Sequence, residues 1–109
     1  MIRYLSPFKA QKLMQGENEG YVVPVGTVAQ IRALTFHNTT EDAVFIEVYL
    51  IPSNVLTTEK AQRLVWKSLV KNQSYLCPEL INHALTEGMR VILKGEGVNA
   101  MLSVMEQPV

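Results

Sequence analysis

The sequence predicts an all-β fold, an antiparallel β-sandwich of jelly-roll or immunoglobulin-like topology with about eight short strands. Three observations lead there. Apolar and polar residues alternate at period two in several short runs, most cleanly where Val44, Ile46, Val48 and Leu50 stand against Phe45, Glu47, Tyr49 and Ile51. Turn-forming clusters separate those runs at intervals of roughly 8–12 residues. Helical spacing is confined to Pro78–Leu85, so one short helical turn is expected near residues 79–85.

Taken in order, residues 1–16 carry Ile2, Tyr4, Leu5 and Phe8 around Pro7 without a pattern of their own. They predict an N-terminal arm that docks on the parent domain or on a neighbouring subunit, ahead of a single domain over 17–109. Glu17 to Gly20 is a turn, and Tyr21 to Val23 an edge strand broken by Pro24 and Gly26. Val28 to Pro52 reads as a hairpin whose arms flank the polar cluster Asn38-Thr39-Thr40-Glu41-Asp42. Its first arm has conflicting parity. Gln30 and Arg32 place Ala29, Ile31 and Ala33 inward, whereas Leu34 and Phe36 favour the other row; either a bulge near Arg32 or burial of both faces reconciles them. His37 reads as a solvated or hydrogen-bonded strand-end residue.

Ser53 to Gln62 predicts a loop with one helical turn, and Arg63 to Val70 a strand on which Trp66 is either a core residue or an exposed stacking platform or interface anchor. Ser74 to Cys77 is a short strand, and Met89 to Leu93 alternates again. Lys94 to Asn99 predicts a hairpin connection into the last strand, Ala100 to Glu106. There Leu102 and Val104 share one face, while Met101, Ser103 and Met105 share the other as secondary core or an adaptable contact surface. The pair Gly95 and Gly97 lies between strands, with no helix N-terminus to receive a phosphate.

At 109 residues with 48% apolar and 18% charged residues, the chain suits one globular domain with less charge than the ~25% usual for soluble domains. A shortage of charge implies covered surface. Ten Lys and Arg balance ten Asp and Glu, and the basic residues are scattered, so nucleic acid is not expected as a partner. No apolar run reaches the ~20 residues of a membrane span, and Met1-Ile2-Arg3-Tyr4 does not start a secretory signal, so no membrane partner is expected and synthesis is expected in the cytoplasm. Two histidines, the single Cys77 and the single Asp42 fall in different segments. They form no nucleophile–base pair, carboxylate pair or metal-ligand spacing, so no enzyme activity, catalytic residue, cofactor or metal is expected.

The order Val23-Pro24-Val25-Gly26-Thr27, a strand closing on Asn38-Thr39, Val44 to Pro52, Ala61-Gln62-Arg63-Leu64, and Leu85-Thr86-Glu87-Gly88 leading into Met89-Arg90-Val91 resembles small tailed-bacteriophage virion proteins over about Tyr21 to Gln107. Met89 departs from the polar residue expected after that glycine. The resemblance implies a β-sandwich built into a virion after synthesis in the host cytoplasm. It would be a capsid decoration (cement) protein contacting the major capsid protein or other virion proteins, or a ring in the neck, tail or fibre apparatus. A homo-oligomer, trimeric or higher, is expected. From the residues themselves, contacts are expected at Ile2, Tyr4, Leu5, Phe8, Leu34, Phe36, Trp66, Met101 and Met105. A carbohydrate-binding module stacking sugars on Trp66, Tyr49 or Tyr75 is the reading from a different class.

Overall fold

The computed structural model describes the whole chain, Met1–Val109, as nine antiparallel strands in two facing sheets. The strands are β1 (Arg3–Lys12), β2 (Asn18–Val22), β3 (Thr27–His37), β4 (Val44–Ile51), β5 (Arg63–Leu69), β6 (Ser74–Tyr75), β7 (Ala84–Leu85), β8 (Arg90–Lys94) and β9 (Asn99–Pro108). One sheet, called A below, has the order β1-β9-β3-β6, with β7 also on β3; the other, B, has the order β2-β8-β4-β5.

The pairing is concentric. β4 pairs with β5, β3 with β6, β2 with β8 and β1 with β9, so the chain is a long folded hairpin whose tip is the 52–62 loop. Rolling that hairpin until β9 meets β3 and β8 meets β4 gives the jelly roll, one of the two sandwich topologies expected.

The expected hairpin over Val28 to Pro52 is therefore corrected: its arms, β3 and β4, lie in different sheets and do not pair. A polar cluster between strands serves an arch from sheet to sheet as well as a turn within one. Here the arch is fixed by Asn38, fully buried, whose Nδ2 donates to the carbonyls of Asp42 at 2.9 Å and Leu69 at 2.8 Å. Its Oδ1 accepts from the Thr40 amide at 2.9 Å and the Thr40 hydroxyl at 2.6 Å, so all the usual side-chain bonding capacity is used. Lys94 to Asn99 is likewise an arch, from β8 in one sheet to β9 in the other, rather than a hairpin. Gly97 at φ +85° packs there against the Asn38 arch, where an added Cβ would lie 2.8 Å from Thr40 Cγ2.

Alternation placed the core correctly over most of β4, where Ile46, Val48 and Leu50 are buried on the inner face beside Val65, Leu69, Val91 and Leu93 of the same sheet. Sheet A contributes Phe8, Ala29, Ile31, Leu34, Phe36, Ala100, Leu102 and Val104. The parity conflict in β3 is resolved by a bulge: pairing with β9 slips between Ile31 and Ala33, so Arg32 and Ala33 are both exposed while Ile31, Leu34 and Phe36 all reach the core. Burial of both faces is thereby excluded for this strand.

Two further expectations change. Of the two dockings expected for residues 1–16 the structure shows the one on the parent domain, and as an integral strand rather than a separate arm: Arg3–Lys12 is strand β1, paired with β9. The helical turn expected near 79–85 is a 3-10 turn at Pro78–Leu80 followed by strand β7. β3 takes this segment because its side away from β9 has amides to satisfy. Asn82 N donates to Ile31 O at 2.8 Å, Ile31 N to His83 O at 3.2 Å, and β7 pairs with Ala29 and Gln30. Asn82 leaves helical geometry at φ 70° to allow it. The loop expected before Arg63 holds its single turn at Lys60–Gln62.

Candidate functional site

The residues expected at contacts separate into three environments. Leu34 and Phe36 are fully buried by their own chain and Phe8 is 8% exposed, so these three are core residues and not contact surface. Leu5 is half-buried and packs on the same core. Tyr4, Met101 and Met105 lie on the outer face of sheet A, where Tyr4 stands directly across from Met105 and Met101 is set apart along β9, and Ile2 is exposed just before β1. Trp66 lies on the outer face of sheet B, on the opposite side of the molecule.

Sheet edges are the first places to look for a contact, since an unpaired edge can accept another strand. All four are blunted. β1 contains Pro7 and two register slips, one on each side of Phe8. β2 is five residues long with a slip at Gly20, and β6 and β7 are two residues each. β5 is longer, but its central Lys67 stands across from buried Ile46 on the inner face and holds its ammonium 4.9 Å from the Tyr75 ring of the other sheet. A charge turned inward on an edge strand opposes addition of a further strand.

Contacts are left to the faces. On sheet B the exposed aromatics Phe45 and Trp66 stack with ring centroids 5.0 Å apart and planes at 16°. The Arg63 guanidinium sits 4.9 Å from the Trp66 ring and 3.4 Å from Glu47, and Glu47 also accepts from Tyr49 Oη at 2.5 Å. Phe45 stands beside Ser68, two residues beyond Trp66, while Arg63 is three residues before it, so the indole is flanked from both directions along the strand. Both neighbours contact the indole, which still stands exposed. Burial, followed by the Glu47 hydrogen bond, raises the Tyr49 phenol above its ordinary value. Leu64 beside this cluster is also exposed.

Sheet A has a different outer face. Its floor is made of small residues, with Ser6 and Ser103 hydrogen-bonded across β1 and β9 at 3.2 Å, and Ala10, Ala33 and Thr35 around them. A shallow groove of about 340 Å³ is bounded by Met101 and His37, and a second depression of about 270 Å³ by Tyr4 and Arg32; the two meet at Ser103. Arg32 lies over the Tyr4 ring at 5.1 Å. His37 Nδ1 shares a hydrogen bond of 2.6 Å with Ser74 Oγ, and no carboxylate is bonded to that imidazole.

Charge is distributed unevenly. The strands of sheet A carry Arg3, Lys9, Lys12 and Arg32, and their single acidic residue is Glu106. Glu106 is turned inward, 7% exposed, and accepts from the Tyr21 hydroxyl of the facing sheet. Burial and that carboxylate raise the Tyr21 phenol well above its ordinary range. The ion pairs of the molecule, Arg63–Glu47 and Lys71–Glu41, lie elsewhere, so Arg32 makes none. Sequence reasoning noticed Arg32 only as a break in parity; the signal that could have marked it is the lack of outward acids in β1, β3 and β9.

Other chemistry-bearing groups are set apart from these faces. Cys77 is fully buried, and desolvation pushes its thiol up to about 12. Tyr75 donates to Glu79 and is raised to about 12, with that hydrogen bond the main cause. No group of three or more His, Cys, Asp or Glu is gathered where it could hold a metal ion, and no helix is long and apolar enough to cross a membrane. No protein family, curated protein or solved structure matches the chain.

Proposed function

We propose that the chain is a structural contact protein of a tailed-bacteriophage particle, a decoration or cement protein that bridges capsid subunits through the outer faces of its sandwich. The observation that carries this reading is the contrast between edges and faces. Every edge is blunted against strand addition, whereas Tyr4, Met101, Phe45, Leu64 and Trp66 stand exposed on the two broad faces. A protein that avoids edge pairing and leaves apolar side chains on its faces is suited to face-on docking. The jelly roll is also an architecture shared by viral capsid and lectin domains, which supports the reading by analogy.

The mode of attachment is revised. β1 is part of the sheet, so deletion of residues 1–16 would remove a strand from the core and would not isolate a docking arm. With Leu34 and Phe36 inside the core, self-association as a trimer or higher oligomer rests instead on the Phe45–Leu64–Trp66 patch. The sugar-stacking reading loses support at Trp66, whose ring is contacted by both Phe45 and Arg63.

The test is quantitative mass spectrometry of purified particles from lysates of the source host. High copy number on the scale of the capsid protein is the expected result. A copy number matching a tail or neck ring would move the chain to the tail axis, and absence from particles would refute a virion role.

A further inference from the structure

We propose that the outer face of sheet A is a receptor for an acidic protein segment, with Arg32 binding a carboxylate and the adjoining groove taking the neighbouring apolar side chain. The inference rests on the contact-protein reading and names the partner's chemistry. Its starting point is the bulge. β3 is an interior strand, and a slip there turns two consecutive residues, Arg32 and Ala33, to the same outer face. Bulges of this kind re-aim side chains.

The guanidinium so placed is held over Tyr4 and has no acidic partner within the chain. Beside it are the hydroxyls of Ser6 and Ser103, which line the same depression. Arginine's planar fork binds carboxylates bidentately, and of the two mutually bonded hydroxyls the accepting one keeps its O–H to supply a further donor. Ser103 also borders the larger groove, whose Ala33 and Met101 offer an apolar seat next to the charged one.

Charge complementarity selects the occupant. Across a chain of zero net charge, Lys9, Lys12 and Arg32 stand exposed on the strands of sheet A, while the one Glu is turned inward with Arg3 across from it. An acidic segment meets no repulsion on these strands, whereas a basic one would. The blunted β1 edge requires the segment to lie across the face rather than extend the sheet.

The experiment uses the isotope-labelled full chain and two synthetic probes, Ac-Ala-Leu-Asp-Leu-Ala-NH2 and its Asn counterpart, titrated to millimolar concentration by NMR. The Asp peptide should shift the amides of Ala33, Met101 and Ser103 and the Arg32 side-chain signal, and should bind at least about fivefold more tightly than the Asn peptide. Arg32→Glu should weaken it about tenfold or more, while Lys71→Glu, on a distant loop, should not. Should Arg32→Glu disturb the fold, Ala33→Trp, which fills the groove and keeps the guanidinium, gives the second reading and should also weaken binding. Failure of the Asp peptide to shift this face, equal binding of both peptides, or shifts centred on Trp66 would overturn the proposal. Peptide binding by a chain absent from particles would sink the virion reading alone; a particle-bound chain that ignores the peptide would sink the receptor alone.

Discussion

Asn38→Ala is the substitution that most directly tests how this chain becomes a jelly roll. The side chain makes four hydrogen bonds, two donated to the Asp42 and Leu69 carbonyls and two accepted from Thr40, in a fully buried position. Removing it loses bonds worth about 0.5–1.5 kcal/mol each and leaves the buried Leu69 carbonyl without its side-chain donor, an added cost of about 1–3 kcal/mol. These contributions overlap, and a net loss of about 3–4 kcal/mol is expected. With a urea m-value of about 1.5 kcal/mol/M, the unfolding midpoint should fall by roughly 2–2.5 M. Thr40→Val, which removes the hydroxyl and keeps the Thr40 amide bond, should cost about 1 kcal/mol. Asn38→Asp should be no better than Asn38→Ala, because a carboxylate cannot donate to either carbonyl. Equilibrium urea denaturation followed by far-UV circular dichroism gives all three values. A loss below about 1 kcal/mol for Asn38→Ala, at unchanged m, would refute the claim that this residue fixes the arch.

Two other perturbations follow from the same structure. Tyr21 and Tyr75 both have phenols raised above 10 by carboxylate partners and burial, Tyr75 to about 12. The folded state therefore favours the protonated phenols; the Tyr75 contribution is complete below pH 10 and is lost as pH rises through about 12, and that of Tyr21, raised further, persists to higher pH. Urea midpoints measured from pH 9 to pH 12 should decline, and Tyr75→Phe should flatten the decline; a midpoint that stays level in the unmodified chain would contradict this. Trp66→Ala removes a 58% exposed side chain stacked on Phe45 and Arg63, and should cost about 1–2 kcal/mol with no change in fold. A cost above about 3 kcal/mol would mean that Trp66 supports the core after all.

The strands were legible where the sequence alternates, because one buried face imposes period two on the residues themselves. Val44 to Leu50 is the clearest case, with Ile46, Val48 and Leu50 of the predicted inner row buried, although Tyr49 of the opposite row is buried as well. What the residues did not display is which strand each one meets. A polar cluster between two apolar runs suits a hairpin and an arch equally, and the choice at Asn38 depends on bonds to Leu69 and Gln73, more than thirty residues away. Pro78 to Leu85 departs from its local pattern for a similar reason: its spacing is helical, but β3 offers it backbone partners along an otherwise unpaired side. For the candidate surface, the outward placement of Met101 and Met105 was readable from alternation, while Leu34 and Phe36 were lost to the core by the bulge.

That bulge joins fold and proposed function in a single device. Without it, a strand that buries Ala29 and Ile31 would turn Leu34 and Phe36 outward, exposing two large side chains and leaving the sandwich short of both. One extra residue restores the inner row, and the residue left over is Arg32. A small polar side chain there would satisfy the fold at the loss of the Tyr4 contact alone, since Arg32 is exposed and makes no ion pair. The fold accounts for an extra residue at this position but not for a guanidinium. Its position over Tyr4, beside the Ser6–Ser103 hydroxyl pair and on strands whose only acid faces inward, is accounted for if an external carboxylate is what it binds.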